Sequence, residues 1–273
     1  MDHSKGKRLG QGRTAEIYAW GEQQVLKLYL DWCPRNWIEE EFQTSRAAQS
    51  AGLPVPAVGE IVELDGRIGI IFERIEGPLM IDQLKAKFWQ ASKFARQLAD
   101  LQAAIHGCAT PALPSQRQRL EYTIRSVKNL PEDLRAAVLE SLHRLPDGDS
   151  LCHGDLHPEN ILFSERGPVI LDWMTAARGN PLADVARTSL ILRLGESPPG
   201  MLTRQIVDLI RRRFHAAYIH RYMELRQVSR HDIQAWELPV AAGRMCEDIP
   251  NERAQLRAIV EAGVQRFQAQ RGT

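Results

Sequence analysis

The sequence predicts an α+β chain of two lobes, a small β-rich one followed by a larger, mostly helical one. Three observations carry this. Short strand-like apolar runs are concentrated in residues 16–74. Beyond Gly77-Pro78 the apolar residues recur every three or four positions, the helical period. One segment, residues 151–173, returns to strand-like runs joined by a short turn.

In chain order, strands are expected at Glu16–Trp20, Gln24–Tyr29, Gly59–Leu64 and Arg67–Glu73. Asp65-Gly66 separates the last two, a tight hairpin signal because both turn positions need positive φ. A helix from Trp37 to Ser50 is stopped by Gly52 and Pro54. Leu84, Phe88, Ala91, Phe94, Leu98, Leu101 and Ile105 lie on one stripe and predict a single amphipathic helix. Pro131-Glu132-Asp133 opens another, closed by Pro146-Asp147-Gly148. Asn180-Pro181 reads as an N-cap followed by proline at the first helical position. Two further helices are expected around Leu202–Leu225 and Glu252–Gln268, the second capped by Asn251. A hinge at Glu73–Gly77 divides the chain into residues 1–76 and 77–273, and the junction of two such lobes is a favoured ligand site.

Composition narrows the class. Of 273 residues, 44% are hydrophobic and 25% charged, the balance of a folded chain. Lys and Arg number 35 against 34 Asp and Glu, a net charge of +1, so the electrostatic footprint of a nucleic-acid partner is missing. No apolar stretch is long enough to span a membrane, and Met1–Gln11 is polar without the apolar core of a leader. Cys33, Cys108, Cys152 and Cys246 form no paired motif, as expected of thiols in a reducing cytoplasm. The expectation is a cytoplasmic protein with no nucleic-acid or membrane partner; the sequence is silent on oligomeric state.

The densest chemistry lies between Leu151 and Trp173. Ile161–Phe163 and Val169–Leu171 should pair across a turn containing Gly167. With the turn centred between residues 165 and 166, Asn160 faces Leu171 and Asp172 falls beside it. Asp155 is on the loop entering this hairpin. An amide and two carboxylates converging on one loop suit a hard divalent cation such as Mg²⁺. His153-x-Asp155-x-His157 offers a transition-metal alternative, but no second histidine cluster completes it. His153 is better read as bracing the loop and His157 as a packing or hydrogen-bonding partner. Farther upstream, Lys27 is a lone charge in the apolar strand Val25-Leu26-Lys27-Leu28 and needs a partner there.

The run His153-Gly154-Asp155-Leu156-His157-Pro158-Glu159-Asn160-Ile161-Leu162, followed by Ile170-Leu171-Asp172-Trp173, resembles the aminoglycoside phosphotransferase and choline kinase family of small-molecule kinases. The resemblance extends over nearly the whole chain. It implies a bilobal protein-kinase-like fold, with ATP and Mg²⁺ as cofactors and a small-molecule hydroxyl as acceptor. It implies that Asp155 is the catalytic base, and that Asn160 and Asp172 hold the magnesium bridging the ATP phosphates. Leu9-Gly10-Gln11-Gly12 resembles the start of a glycine-rich loop over the phosphates, with Ala15 where a third glycine would stand. Lys27 resembles the lysine on the α and β phosphates; its partner is expected to be Glu41, with Glu40 as the alternative and Glu39 solvated. Glu73-Arg74-Ile75-Glu76-Gly77 resembles the hinge, where backbone at Glu73 and Ile75 would meet the adenine edge. Asp184 is implied as a brace of the catalytic loop, beside His153. Asn180 stands where the family more often has Asp and caps a helix equally well.

The acceptor is less constrained. Residues 189–273 hold 13 Arg and no Lys against 9 Asp and Glu, a surplus of four positive charges that disfavours a polycation. Glu247-Asp248 with Glu252 is an acidic cluster that could bind an amine, and Trp236, Tyr218 and Tyr222 are aromatic faces for an ammonium. Two other functions use the same residues. A nucleotide-binding pseudokinase is disfavoured by the intact polar set, and a kinase acting on protein hydroxyls by the short chain.

Overall fold

The computed structural model describes residues 5–110, 112–195 and 200–270. The chain divides into two compact units: residues up to Gln83 with Pro158–Ala176, and Leu84–His157 with the remainder from Ala177. The sequence places the division at 76/77 instead, and the ends of its two segments, 1–4 and 271–273, lie outside the described residues. The difference has a hydrogen-bonding cause. Phe163 N donates to Pro78 O (2.9 Å) and Ile170 N to Pro54 O (2.7 Å), tying the later hairpin to the first unit.

The first unit is built on β1 (Arg8–Gln11), β2 (Ala15–Trp20), β3 (Gln24–Tyr29), α1 (Arg35–Ser50), β4 (Val58–Leu64) and β5 (Arg67–Glu73). The strands form an antiparallel sheet in the order β1-β2-β3-β5-β4. Leu64 pairs with Arg67 across the expected turn, with Asp65 at φ 53° and Gly66 at φ 75°. Side chains alternate across a strand, so Leu26 and Leu28 pack on one face with Trp20 and Ile71. Tyr29 goes to the other face, against Ile38 and Phe42 of α1 with Ile70. Lys27 shares the Tyr29 parity.

The stripe from Leu84 to Ile105 is not one helix. It is α2 (Met80–Ala86), a 3₁₀ turn at Phe88–Gln90 and α3 (Ala91–Ile105). Lys87 leaves the helical region at φ −132°, ψ 50°, and Phe88 is 51% exposed. Apolar spacing alone cannot register such a break, because positions 84, 88 and 91 keep helical spacing across it.

The chain continues through α4 (Gln116–Ser126), α5 (Glu132–Arg144), β6 (Ser150–Cys152), a 3₁₀ turn at Pro158–Asn160, β7 (Ile161–Ser164), β8 (Gly167–Ile170) and β9 (Ala177–Gly179). It ends in α6 (Pro181–Leu194), α7 (Met201–Arg226), α8 (Arg230–Ala235), α9 (Glu237–Arg244) and α10 (Arg253–Ala269). Asn180 caps α6 as expected, its side chain accepting from Leu182 N at 2.9 Å. The cap expected of Asn251 is corrected: Glu252 holds the N-cap position of α10 without a side-chain cap bond, its carboxylate being engaged by Arg244. The second unit's core joins Ile124, Val138, Leu190 and Val260 from α4, α5, α6 and α10 with Trp236 from the junction of α8 and α9. Among the described residues no helix is long and apolar enough to cross a membrane.

Candidate active site

Within the first unit, Lys27 Nζ lies 2.6 Å from Glu41 Oε1 and 2.8 Å from Asp172 Oδ1. Tyr29 OH donates to the other Glu41 oxygen at 2.7 Å. Burial alone would lower the Lys27 pKa, but the charges of Asp172 and Glu41 outweigh it and hold the ammonium above its ordinary range. The helical register selects Glu41. Ile38, Glu41, Ser45 and Ala48 form the buried stripe of α1, whereas Glu39 points outward and pairs with Arg35. This is the partner the sequence favours over Glu40.

Asp172 is delivered by the β7–β8 hairpin. Ile161 pairs with Ile170 and Leu162 with Val169, the register expected, and Leu171 N donates to Asn160 O at 2.8 Å. Asp172 itself takes φ 61°, a left-handed conformation rare outside glycine, asparagine and aspartate. Thr44 Oγ1 donates to Trp173 O (3.0 Å) and fixes the chain just beyond it. The Asp172 side chain remains 44% exposed. Asn160 is half-buried. An amide oxygen and an accessible carboxylate are the hard oxygen donors that Mg²⁺ takes, so this donor set fits the ion.

Gly10 lies in β1, and Gly12 N closes the turn into β2 by donating to Ala15 O (2.8 Å). A Cβ on Gly10 would meet nothing within 4 Å, so packing does not demand glycine there. At the hinge the opposite holds. Gly77 takes φ 145°, and a Cβ there would fall 1.8 Å from Phe163 O. The Glu73 carboxylate accepts from Ala57 N (3.0 Å) and from Arg166 (2.7 Å), and Ile75 is half-buried just past β5.

Within the second unit, Asp155 presents a carboxylate that is 31% exposed. His157 Nε2 is 3.4 Å from Oδ2, and Arg187 Nη2 is 3.4 Å from Oδ1. Burial would raise its pKa, but the His157 bond and the Arg187 charge prevail and keep it far below the usual carboxylate range. His153 is fully buried, and its Nδ1 accepts from Asp155 N at 3.2 Å. Asp184 Oδ1 accepts from Gly154 N (2.7 Å), and Oδ2 from His153 N (3.1 Å), Gln102 Nε2 (3.0 Å) and His106 Nε2 (3.0 Å). Burial opposes ionisation of Asp184, yet these partners, His106 first, bring its pKa down to about 2. His106 Nδ1 meets Tyr222 OH at 2.6 Å.

Several side chains that contact Asp155 or Asp184 escape sequence reasoning. Gln102 and His106 lie on or beside α3, far from the motif. Arg187 leaves a fainter signal, a charge three residues after Asp184 in a mostly apolar helix. The expected acceptor residues need correction. Trp236 is 2% exposed and Tyr218 and Tyr222 are fully buried, so they are core side chains rather than ligand faces. The acidic cluster is not open either, because arginines already engage it. Glu247 bonds Arg187 (2.7 Å), Asp248 bonds Arg253 (2.6 Å), and Glu252 bonds Arg244 (2.6 Å). Among the described residues, the buried trio close enough to ligate a metal is His106, Cys152 and Asp184, not the histidines flanking Asp155. Both nitrogens of His106 are already hydrogen-bonded.

The fold aligns with solved structures of aminoglycoside phosphotransferases. A thermostable mutant of APH(4)-Ia in ternary complex with AMP-PNP and hygromycin B shares 17% identity at a TM-score of 0.66, over 97% of this chain and 94% of that one. The amicoumacin kinase hAmiN, in complex with AMP-PNP, Ca²⁺ and Ami, shares 13% identity at a TM-score of 0.64, over 96% and 88%. By sequence, the chain is 30% identical over 185 residues to mouse acyl-CoA dehydrogenase family member 10, covering 59% of this chain and 17% of that protein. It is 27% identical over 177 residues to human acyl-CoA dehydrogenase family member 11, covering 56% and 23%. The chain thus matches less than a quarter of the length of these relatives. A family model described as the phosphotransferase enzyme family matches residues 5–230. The chain belongs to that family.

Proposed function

We propose that the protein transfers the γ-phosphoryl group of ATP to a hydroxyl of a small molecule, with Asp155 as the catalytic base. The observation that carries this reading is the Lys27 ammonium, held at 2.6 Å by Glu41 and 2.8 Å by Asp172 inside the N-terminal unit. A buried cation kept charged by two carboxylates is the group phosphoryl transfer asks for, since that reaction needs positioning and charge neutralisation more than covalent chemistry. Gly10 and Gly12 would let backbone N–H groups approach phosphate oxygens, and backbone at Glu73 and Ile75 would meet the adenine edge. Asn160 and Asp172 would hold Mg²⁺, which supplies charge neutralisation at the phosphates when bound. Asp155, ionised at neutral pH, would orient the acceptor hydroxyl and take its proton. Asp184 and His153 would brace its loop.

The acceptor we propose is not a polycation. Glu247, Asp248 and Glu252 are each already bonded to an arginine, which leaves this stretch little negative charge for amines. The neighbours bound to hygromycin B and amicoumacin support a small-molecule acceptor class. Cys33, Cys108, Cys152 and Cys246 are free thiols, in keeping with a cytoplasmic protein. The test is ADP release from Mg-ATP with pooled small alcohols. Wild type should turn over with at least one pool, and Asp155→Ala should lose that turnover while binding Mg-ATP normally. Comparable turnover in the two proteins would remove Asp155 from the role.

A further inference from the structure

We propose that Arg187, held by Glu247, is a positioning residue that sets the catalytic loop around Asp155; this rests on the reading of Asp155 as the base. Asp184 and Arg187 lie three residues apart on α6 and therefore project from one side of it. Asp184 accepts from the backbone N–H of Gly154 at 2.7 Å. Arg187 Nε donates to the carbonyl oxygen of the same residue. One helix thus grips Gly154 by both its backbone N–H and its carbonyl, immediately before Asp155.

The same guanidinium reaches the reacting carboxylate, with Nη2 at 3.4 Å from Asp155 Oδ1. Its shorter bond goes the other way, at 2.7 Å to Glu247 Oε1. Glu247 is in turn 3.3 Å from Arg244, and Arg244 is bonded at both Nε (2.6 Å) and Nη2 (2.8 Å) to the buried Glu252 at the start of α10. The result is a chain of alternating charge, Asp155–Arg187–Glu247–Arg244–Glu252, running from the catalytic loop into the C-terminal helices. Its geometry has a consequence for the base. A guanidinium with five donors would form a tight forked pair with a lone carboxylate. Glu247 takes the close contact instead, so Asp155 is oriented by a cation that does not fully engage its lone pairs.

Lysine cannot replace this arrangement, because a single ammonium at the end of a flexible stem cannot hold Gly154 O, Asp155 and Glu247 in one plane. The test uses the full chain with Arg187→Lys, Arg187→Ala and Glu247→Gln, assayed by ADP release in the pool on which wild type turns over. A displacement of about 1 Å at a reacting group costs on the order of 100-fold. Arg187→Ala should therefore lose about 100-fold in kcat, and Arg187→Lys should recover part of that loss. Glu247→Gln should also lower kcat, as Arg187 closes on Asp155. The Kd for Mg-ATP should stay within about twofold in all three. In parallel, amide hydrogen exchange at Gly154 and Asp155 should quicken in Arg187→Lys, which retains the charge and the fold. Wild-type kcat in folded Arg187→Ala, or unchanged exchange in Arg187→Lys, would overturn the inference. Silence of the wild type in every pool, with no melting shift on adding Mg-ATP, would count against the nucleotide-binding reading itself, and the exchange result would still decide whether Arg187 holds the loop.

Discussion

Asp172 combines three features that pull against one another: it pairs with a buried lysine, its side chain stays 44% exposed and its backbone sits at φ 61°. A left-handed backbone costs an L-residue roughly 1–2 kcal/mol. That cost is met by Thr44 holding Trp173 O and by Leu171 N bonding Asn160 O. The chemistry of Asp172 was legible in the sequence, since a carboxylate closing an apolar strand invites explanation. Its backbone strain was not, because φ at that position is imposed by α1 and β7 from elsewhere in the chain. Asp172→Ala should abolish the magnesium-dependent part of ATP binding in titration calorimetry, while Lys27 keeps Glu41 and the fold survives. An unchanged metal dependence would remove Asp172 as a ligand.

Elements position these residues in two different ways. The segment after β5 depends on close approach, since only glycine lets residue 77 lie against Phe163 O. Gly77→Ala should lower stability by about 1–3 kcal/mol in urea denaturation. Gly10→Ala, where the added Cβ meets nothing, should stay within about 0.5 kcal/mol of wild type. Equal losses at the two sites would refute the contrast. The loop carrying Asp155 depends instead on α6 and α3 through Asp184. Its folded-state pKa of about 2 lies below the ordinary 3.8, so Asp184 contributes stability that is fully present above pH 3.8. That contribution is lost as the pH falls through about 2. The linkage is on the order of 2 kcal/mol. Asp184→Asn should flatten the acid limb of stability between roughly pH 4 and pH 2. An acid limb as steep as the wild type's would show that the carboxylate is not responsible.

At the scale of the whole molecule, nucleotide binding must appear as stability. A ligand at 100 times its Kd, bound only by the folded chain, adds about 2.7 kcal/mol. Mg-ATP should therefore raise the melting temperature, Asp172→Ala should reduce the magnesium-dependent part of that shift, and Asp155→Ala should leave it intact. No shift with Mg-ATP would contradict nucleotide binding. Charge at this scale is also informative. Arginines of residues 189–273 brace the helices through ion pairs such as Arg193–Glu237 (2.5 Å), Arg221–Asp100 (2.8 Å) and Arg244–Glu252 (2.6 Å).

The amino-acid sequence by itself determined what depends on neighbours along the chain. The Asp65-Gly66 turn, the pairing of Ile161 with Ile170, the Asn180 cap and the choice of Glu41 all follow from local spacing, because strand alternation and helical period act over a few residues. Tertiary structure alone decided the break at Lys87, the burial of Trp236 and the attachment of residues 158–176 to the N-terminal unit. It also paired His106 with Asp184 and Arg187 with Glu247, residues far apart along the chain. Such pairs carry no spacing signal; they exist because folding removes these charges from water, and each must then meet a group of opposite sign.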